Sequence, residues 1–217
     1  QRQMCIRDRA DSTKNLMGGR RVPTVLDQIR ARGDELKLED IVFEGYHGVL
    51  CVESGGPTPG VGCAGRGIIT AFEKLEELRA FEIYRPDVVL YDVLGDVVCG
   101  GFAMPIRGGY AEDVYIVSSG EMMSLYAANN IASAIRNFGA RGYAKLKGLI
   151  LNSKNLENEA EIVEKACAEI GTGIVEIIPR CADIQFAENK GCTVFEALEA
   201  SEMKAPYSRL AAMMAES

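Results

Sequence analysis

From about residue 85 onward this chain alternates short apolar runs with helical patterns, and that alternation admits few architectures. Residues 87–91, 114–117, 149–151 and Ile174–Ile178 are β-branched or leucine-rich and read as buried strands. Between them apolar residues recur at helical spacing. Met123, Ala127, Ile131, Ala134 and Phe138 make one stripe, and Ile162, Ala166 and Ile170 another, with Glu161 placed to pair with Lys165 one turn on. Ile68, Phe72, Leu75 and Leu78 mark an earlier helix, and Gly171 and Gly173 fit a helix stop. Such strand–helix–strand units cross over right-handed, so the expected fold is α/β with a doubly wound, mostly parallel sheet. Ligands of these sheets bind outside the carboxyl ends of the strands, where Asp92 and Asn152 fall.

The 217 residues suffice for one domain with a sizeable core, and no repeat, low-complexity segment or linker divides them. The formal net charge of −7 argues against nucleic acid or an anionic membrane as the main partner. No apolar run approaches the roughly 18 residues of a membrane span, and the first residues lack the apolar stretch of a secretory leader. Seven cysteines, an odd number at wide spacings, suit a reducing, cytoplasmic setting better than a disulfide framework. Cys51 and Cys167 read as small buried hydrophobes. Residues 1–9 carry neither a strand nor a helix period and are expected to be a foreign or disordered extension, leaving 10–217 as a single domain.

Chemistry concentrates in residues 51–107. Cys63 and Cys99 each follow an apolar strand-like run and are wrapped in glycine: Gly60, Gly62, Gly65 and Gly67 around the first, Gly100 and Gly101 after the second. Cysteines so placed sit on loops where the backbone can approach a bulky ligand. Asp92 ends a strand with Gly95 three residues on, the pattern by which nucleotide-hydrolysing proteins hold Mg²⁺ through water and sense a γ-phosphate. The single histidine, His47, reads as a loop or core residue.

The run Cys-Val-Glu-Ser-Gly-Gly-Pro-Thr-Pro-Gly-Val-Gly-Cys-Ala-Gly-Arg-Gly from Cys51, with Tyr-Asp-Val-Leu-Gly-Asp-Val-Val-Cys-Gly-Gly-Phe-Ala-Met-Pro-Ile-Arg ending at Arg107, resembles the nitrogenase iron protein family. The likeness extends from Ala10 to about Ser217. It implies a P-loop NTPase-like fold and an ATP-dependent electron-transfer reductase. A 4Fe–4S cluster would be shared by a homodimer, with Cys63 and Cys99 of each chain supplying its four thiolates across a two-fold axis. The glycines would then free backbone N–H groups to face the cluster and tune its potential. Cys99 lies seven residues after Asp92, so movement of this loop on hydrolysis could reach the cluster.

By the same resemblance Asp96 is the acidic residue near the attacking water, and Asp11 the switch aspartate near Mg²⁺, with a helix N-cap as its plainer reading. Asn152 is placed to read the adenine edge. Pro179 and Arg180 match a second adenine-side loop, although Cys181 stands where an acidic residue usually follows; Gln185 and Glu188 match nearby positions. Arg66 matches the arginine that faces the partner enzyme and is reversibly ADP-ribosylated in some members. The implied partners are the dinitrogenase component (molybdenum–iron type) and ferredoxin or flavodoxin as donor.

One departure stands out. No Gly-Lys-Ser or Gly-Lys-Thr occurs in the chain, and Gly18-Gly19-Arg20-Arg21 does not replace it, so the phosphate-cradling loop of the family is absent. The expectation is a sheet incomplete at its N-terminal side, lacking its central first strand, with unpaired edges and no ATP hydrolysis by the chain as written. Other readings stay open: a related iron protein for tetrapyrrole reduction of the coenzyme F430 or chlorophyll type, a non-redox partitioning-type P-loop ATPase, or an inactive fragment.

Overall fold

The computed structural model describes residues 3–7, 13–56, 64–95, 104–139 and 144–216. In chain order the elements are β1 (Gln3–Arg7), α1 (Val25–Arg32), β2 (Phe43–Glu44), β3 (Leu50–Glu53), α2 (Ala64–Glu77), α3 (Ala80–Tyr84), β4 (Val88–Asp92), α4 (Met104–Arg107), β5 (Asp113–Ser118), α5 (Met122–Gly139), β6 (Lys145–Asn152), α6 (Glu159–Ile170), β7 (Ile174–Ile178), α7 (Ala182–Asn189), α8 (Val194–Ala197) and α9 (Lys204–Ala215). They cluster into two compact units. The first comprises residues 1–94, 98–104 and 187–197, and the second residues 95–97, 105–186 and 198–217. The sequence suggested one sheet; the described strands form a four-stranded and a three-stranded sheet. Every strand pair is parallel except β2 with β3, as the apolar, two-face-buried strand patterns implied.

In the first unit the strand order is β2-β3-β1-β4. β1 therefore occupies the interior of the sheet, with Met4 opposite Leu50 on one side and Val89 on the other. This corrects one expectation. Residues 3–7 are not an irregular extension but a strand paired on both sides, while the described strands divide into two sheets in which β4 and β5 each stand at an edge. The reason is visible in the side chains: Met4 and Ile6 point to the same face of the strand and are 0% and 3% exposed. Two apolar residues one apart are too short a pattern to register as a period, yet they fill the core once both edges are paired.

α2 lays Ile68, Ala71, Phe72 and Leu75 into that core, all essentially inaccessible, and Phe72 meets Tyr91 of β4 with ring centroids 5.2 Å apart. The expected 68–72–75 stripe is thus the packing face. Gly67 is needed there, because a Cβ at this point of α2 would lie 2.8 Å from the Gly55 carbonyl oxygen and from Leu26 Cδ1. α1 starts at Thr24, whose hydroxyl accepts the Asp27 N–H at 3.2 Å and donates to the Asp27 carboxylate at 2.8 Å.

In the second unit β5, β6 and β7 run parallel, and α5 and α6 pack against them. The buried stripe of α5 is Ala128, Ala132 and Ile135; that of α6 is Val163, Cys167 and Ile170. The α5 stripe lies one position along from that read in the sequence, while on α6 Ile170 is buried as read and Val163 and Cys167 take the places of Ile162 and Ala166. Met123 and Ile162 are instead 71% and 40% exposed. Apolar residues flank the true stripe on each helix, so spacing alone could not choose among adjacent faces. The Glu161–Lys165 pair forms at 2.8 Å, and Gly171 ends α6 with φ +80°. α9 is tied to β7 by Arg209, whose Nε and Nη2 donate to the two carboxylate oxygens of Glu176 at 2.8 and 3.0 Å.

Candidate functional site

The carboxyl ends of the parallel strands carry the residues of interest. In the first unit β3 and β4 flank β1 on its two sides, and both end level with Arg7, β3 at Glu53 and β4 at Asp92. The chain leaving β3 reaches Cys63 just before α2 begins at Ala64, with Arg66 in the first turn of that helix. The chain leaving β4 passes Gly95 and then Asp96 and Cys99 before α4. Asp11, Cys63, Asp96 and Cys99 lie outside the described residues. Among the described residues no group of three or more His, Cys, Asp or Glu is arranged to hold a metal ion.

The end of β3 is anchored by an unforeseen contact. Glu53 and Thr13 are each 1% exposed. Glu53 Oε1 accepts the Thr13 N–H at 2.9 Å and the Thr13 hydroxyl at 2.8 Å. Thr13, two residues past Asp11 in the chain, is thereby fixed to the strand that leads toward Cys63. Cys51, two residues before Glu53, is fully buried, and burial, with Cys5 and Glu53 nearby, pushes its thiol up to about 12. It is a packed thiol, as expected, and so is Cys167, which burial also shifts upward.

In the second unit a cavity of about 320 Å³ opens beyond the ends of β5 and β6. Gly95 and Asn152 both line it, so two of the sequence-predicted residues meet there. Lys154, Glu121, Ser119 and Ser124 add polar groups, and Ala127, Ala128 and Ile131 of α5 give it an apolar wall. Gly95 lies close to that wall, since a Cβ on it would stand 3.5 Å from Ile131 Cδ1. Asn152 is in register with Ile178, and the Ser153 N–H donates to the Ile178 carbonyl at 2.9 Å, which brings the chain before Pro179 beside Asn152. Pro179, Arg180 and Gln185 are exposed and are not among the cavity-lining residues. Cys181 Sγ accepts the Asp183 N–H at 3.4 Å at the start of α7, a capping contact that an acidic side chain there would also make.

A residue absent from the sequence reading organises this rim. Glu159, 5% exposed, opens α6 and turns its carboxylate back toward two loops. It accepts the Lys154 N–H at 3.0 and 2.9 Å, the Leu156 N–H at 3.4 Å, the Ser153 hydroxyl at 2.7 Å and, from the loop after β5, the Gly120 N–H at 3.0 Å. Burial alone would raise its pKa. The Ser153 hydroxyl and the three backbone N–H groups outweigh that and hold it down at about 2. The only sequence signal was an acid in the first turn of a helix, which is common and says nothing of Gly120.

The comparisons with known proteins bear on this arrangement. The sequence profile of the 4Fe-4S iron sulfur cluster binding proteins, NifH/frxC family, matches residues 3–217. The chain belongs to that family. The nitrogenase iron protein of Methanospirillum hungatei JF-1 is 54% identical over 204 residues, covering 93% of this chain and 72% of that one. Among solved structures, the septum site-determining protein MinD from Pyrococcus horikoshii OT3, complexed with Mg-ADP, superposes with a TM-score of 0.68 at 18% identity, over 97% of this chain and 82% of that one. The Pyrococcus furiosus cell division ATPase MinD gives 0.66 at 14% identity, over 99% and 84%. Likeness at that identity speaks for the fold alone, the P-loop NTPase-like α/β fold expected from the sequence.

Proposed function

We propose that the chain is the cluster-bearing, electron-transferring part of a nitrogenase-type iron protein. The observation that carries the reading is the pair Cys63 and Cys99 in a family member, each following a strand that flanks β1. The family membership from residue 3 onward and the relative at 54% identity favour the nitrogenase reading over a partitioning-type ATPase, whose support is fold likeness only.

The donor set suits a 4Fe–4S cluster. Two soft thiolates per chain complete four ligands when a second copy contributes its own pair, hence the homodimer. Cys63 immediately precedes the N-terminus of α2, whose aligned peptide dipoles favour a thiolate. Cys51 and Cys167, with their thiols shifted upward by burial, are left out of the set. When bound, the cluster supplies one-electron reduction to a larger partner. The partner is inferred to be the dinitrogenase component, the donor ferredoxin or flavodoxin, and the setting cytoplasmic. Arg66, in the first turn of α2, is assigned to the contact with that partner.

For nucleotide, Asp92, Asp96 and Asp11 are assigned to the Mg²⁺ and water side, with Gly95 at the γ-phosphate. Asn152, Pro179, Arg180 and Gln185 are assigned to the adenine side. The phosphates themselves do not fit this chain, which has no Gly-Lys-Ser/Thr to cradle them, so no hydrolytic step is derived for it.

The test is anaerobic reconstitution with iron and sulfide, read by EPR after dithionite, beside Cys63→Ser and Cys99→Ser. The expected result is a reduced 4Fe–4S signal at about two irons per chain, as a cluster shared by two copies requires, lost in either variant. A cluster that persists in both variants would overturn the ligand assignment.

A further inference from the structure

The cavity at the ends of β5 and β6 is built from two loops that are far apart in sequence, and one buried carboxylate joins them. Gly120 follows β5, while Ser153, Lys154 and Leu156 follow β6, and Glu159 accepts from all four. The partners are three backbone amides and a hydroxyl, so the tie is directional and sets where the backbone lies. Gly120 is shaped to it, since a Cβ there would stand 2.6 Å from Glu159 Cγ. Ser119 and Lys154, the cavity-lining neighbours of these contacts, and Asn152 two residues before Lys154, take their positions from the same loops.

We infer that Glu159 is the positioning residue of this cavity: it locks the loop after β5 and the loop after β6 into a single rim and so presents Asn152 and Lys154 to an adenine-type ligand. The ligand class rests on the assignment of Asn152 to the adenine side made above; the joining of the loops does not. Glutamine at 159 keeps the shape but turns an NH₂ toward backbone donors, so at least one N–H loses its acceptor. Alanine at 120 displaces the carboxylate from the other side. Because both changes break one tie, their effects should not add.

The experiment has two readouts on the full chain. The first is amide hydrogen exchange without ligand. Glu159→Gln should speed exchange at Gly120 and at Lys154 together, by tenfold or more, with α6 beyond its first turn unchanged. The second is titration with adenosine and with ADP, followed by NMR, on the wild type, Glu159→Gln, Gly120→Ala, the double variant, and Glu176→Gln. The last breaks a different carboxylate contact in the same unit, the exposed one with Arg209, and controls for lost stability. The expected result is binding weakened tenfold or more by Glu159→Gln and by Gly120→Ala, no further loss in the double variant, and binding retained in Glu176→Gln. Binding by Glu159→Gln within twofold of wild type would overturn the positioning role. Should the wild type bind neither probe, the adenine assignment falls, and the exchange data then decide the tie alone: joint opening of both loops sustains it, and opening of one or neither refutes it.

Discussion

Ile6 gives the sharpest test of how the first unit is built. Its side chain is 3% exposed on a strand paired on both sides. Burying an isoleucine contributes about 1.5–3 kcal/mol, and truncation to alanine adds the cost of the void left behind, so Ile6→Ala should destabilise by about 3 kcal/mol. For a chain of this size that corresponds to a drop of roughly 6–12 °C in Tm. The control is Ile83→Ala, where the side chain is 59% exposed and the expected change is within about 0.5 kcal/mol. Urea unfolding followed by circular dichroism gives the difference as a shift in midpoint at unchanged slope. Exchange at the β3 and β4 amides should quicken as well, because β1 lies between those strands. An irregular N-terminal extension would make Ile6 as replaceable as Ile83. A measured cost below about 0.5 kcal/mol for Ile6→Ala would therefore refute the interior placement of β1 and restore the reading of residues 1–9 as an appendage.

Three further outcomes are expected. Gly148→Ala should destabilise by about 1–3 kcal/mol by overpacking, since its Cβ would meet Val175 Cγ1 well inside van der Waals contact, and Val175→Ala in the same chain should restore most of it, as thermal melts would record. The Glu159 carboxylate is depressed from 4.5 to about 2, so its stabilisation is fully present above pH 4.5 and is lost as pH falls toward 2; the stability gap between wild type and Glu159→Gln should be about 3 kcal/mol near neutrality and vanish near pH 2, and a gap unchanged over that range would contradict the assignment. Purified chain should show no ATP turnover in a phosphate-release assay, given the missing Gly-Lys-Ser/Thr.

What the sequence made legible followed from long patterns. Ile174–Ile178 appears as read, and the 68–72–75 stripe is the packing face of α2. β1 was missed because Met4 and Ile6 are too few residues to set a period, and the strand becomes one only through its partners β3 and β4. On α5 and α6 the helices were correct, and the faces were about one residue off except at Ile170, which is buried as read. Ile131 and Met123 are as apolar as the buried Ala128 and Ile135, and only the sheet decides which side is covered. At the site, Gly95 and Asn152 were found from strand-end position and do meet in one cavity. Glu159 with Gly120 and Glu53 with Thr13 were not, because each joins residues about 40 apart by contacts to backbone N–H groups, which leave no residue-type signature.

Those two glutamates share a logic that separates them from the other acids. Each is nearly inaccessible, Glu53 at the carboxyl end of β3 and Glu159 at the start of α6, and each accepts main-chain N–H and a hydroxyl, from Thr13 alone at Glu53 and from three backbone amides and Ser153 at Glu159. A carboxylate used this way compensates its desolvation through short directional bonds. Glu161 with Lys165, both well exposed, relies on attraction across water. Salt screens the second arrangement and barely touches the first, because the Debye length falls to about 3 Å at 1 M while the bonded donors stay in contact. Raising the salt to that level should therefore abolish the contribution of the Glu161–Lys165 pair in a double-mutant cycle and leave the Thr13→Val and Glu159→Gln costs within about 0.5 kcal/mol of their low-salt values. A cost at either buried glutamate that falls with salt as the surface pair does would mean that its stabilisation comes from distant cations, and that the strand-end loops are not fixed by the carboxylate.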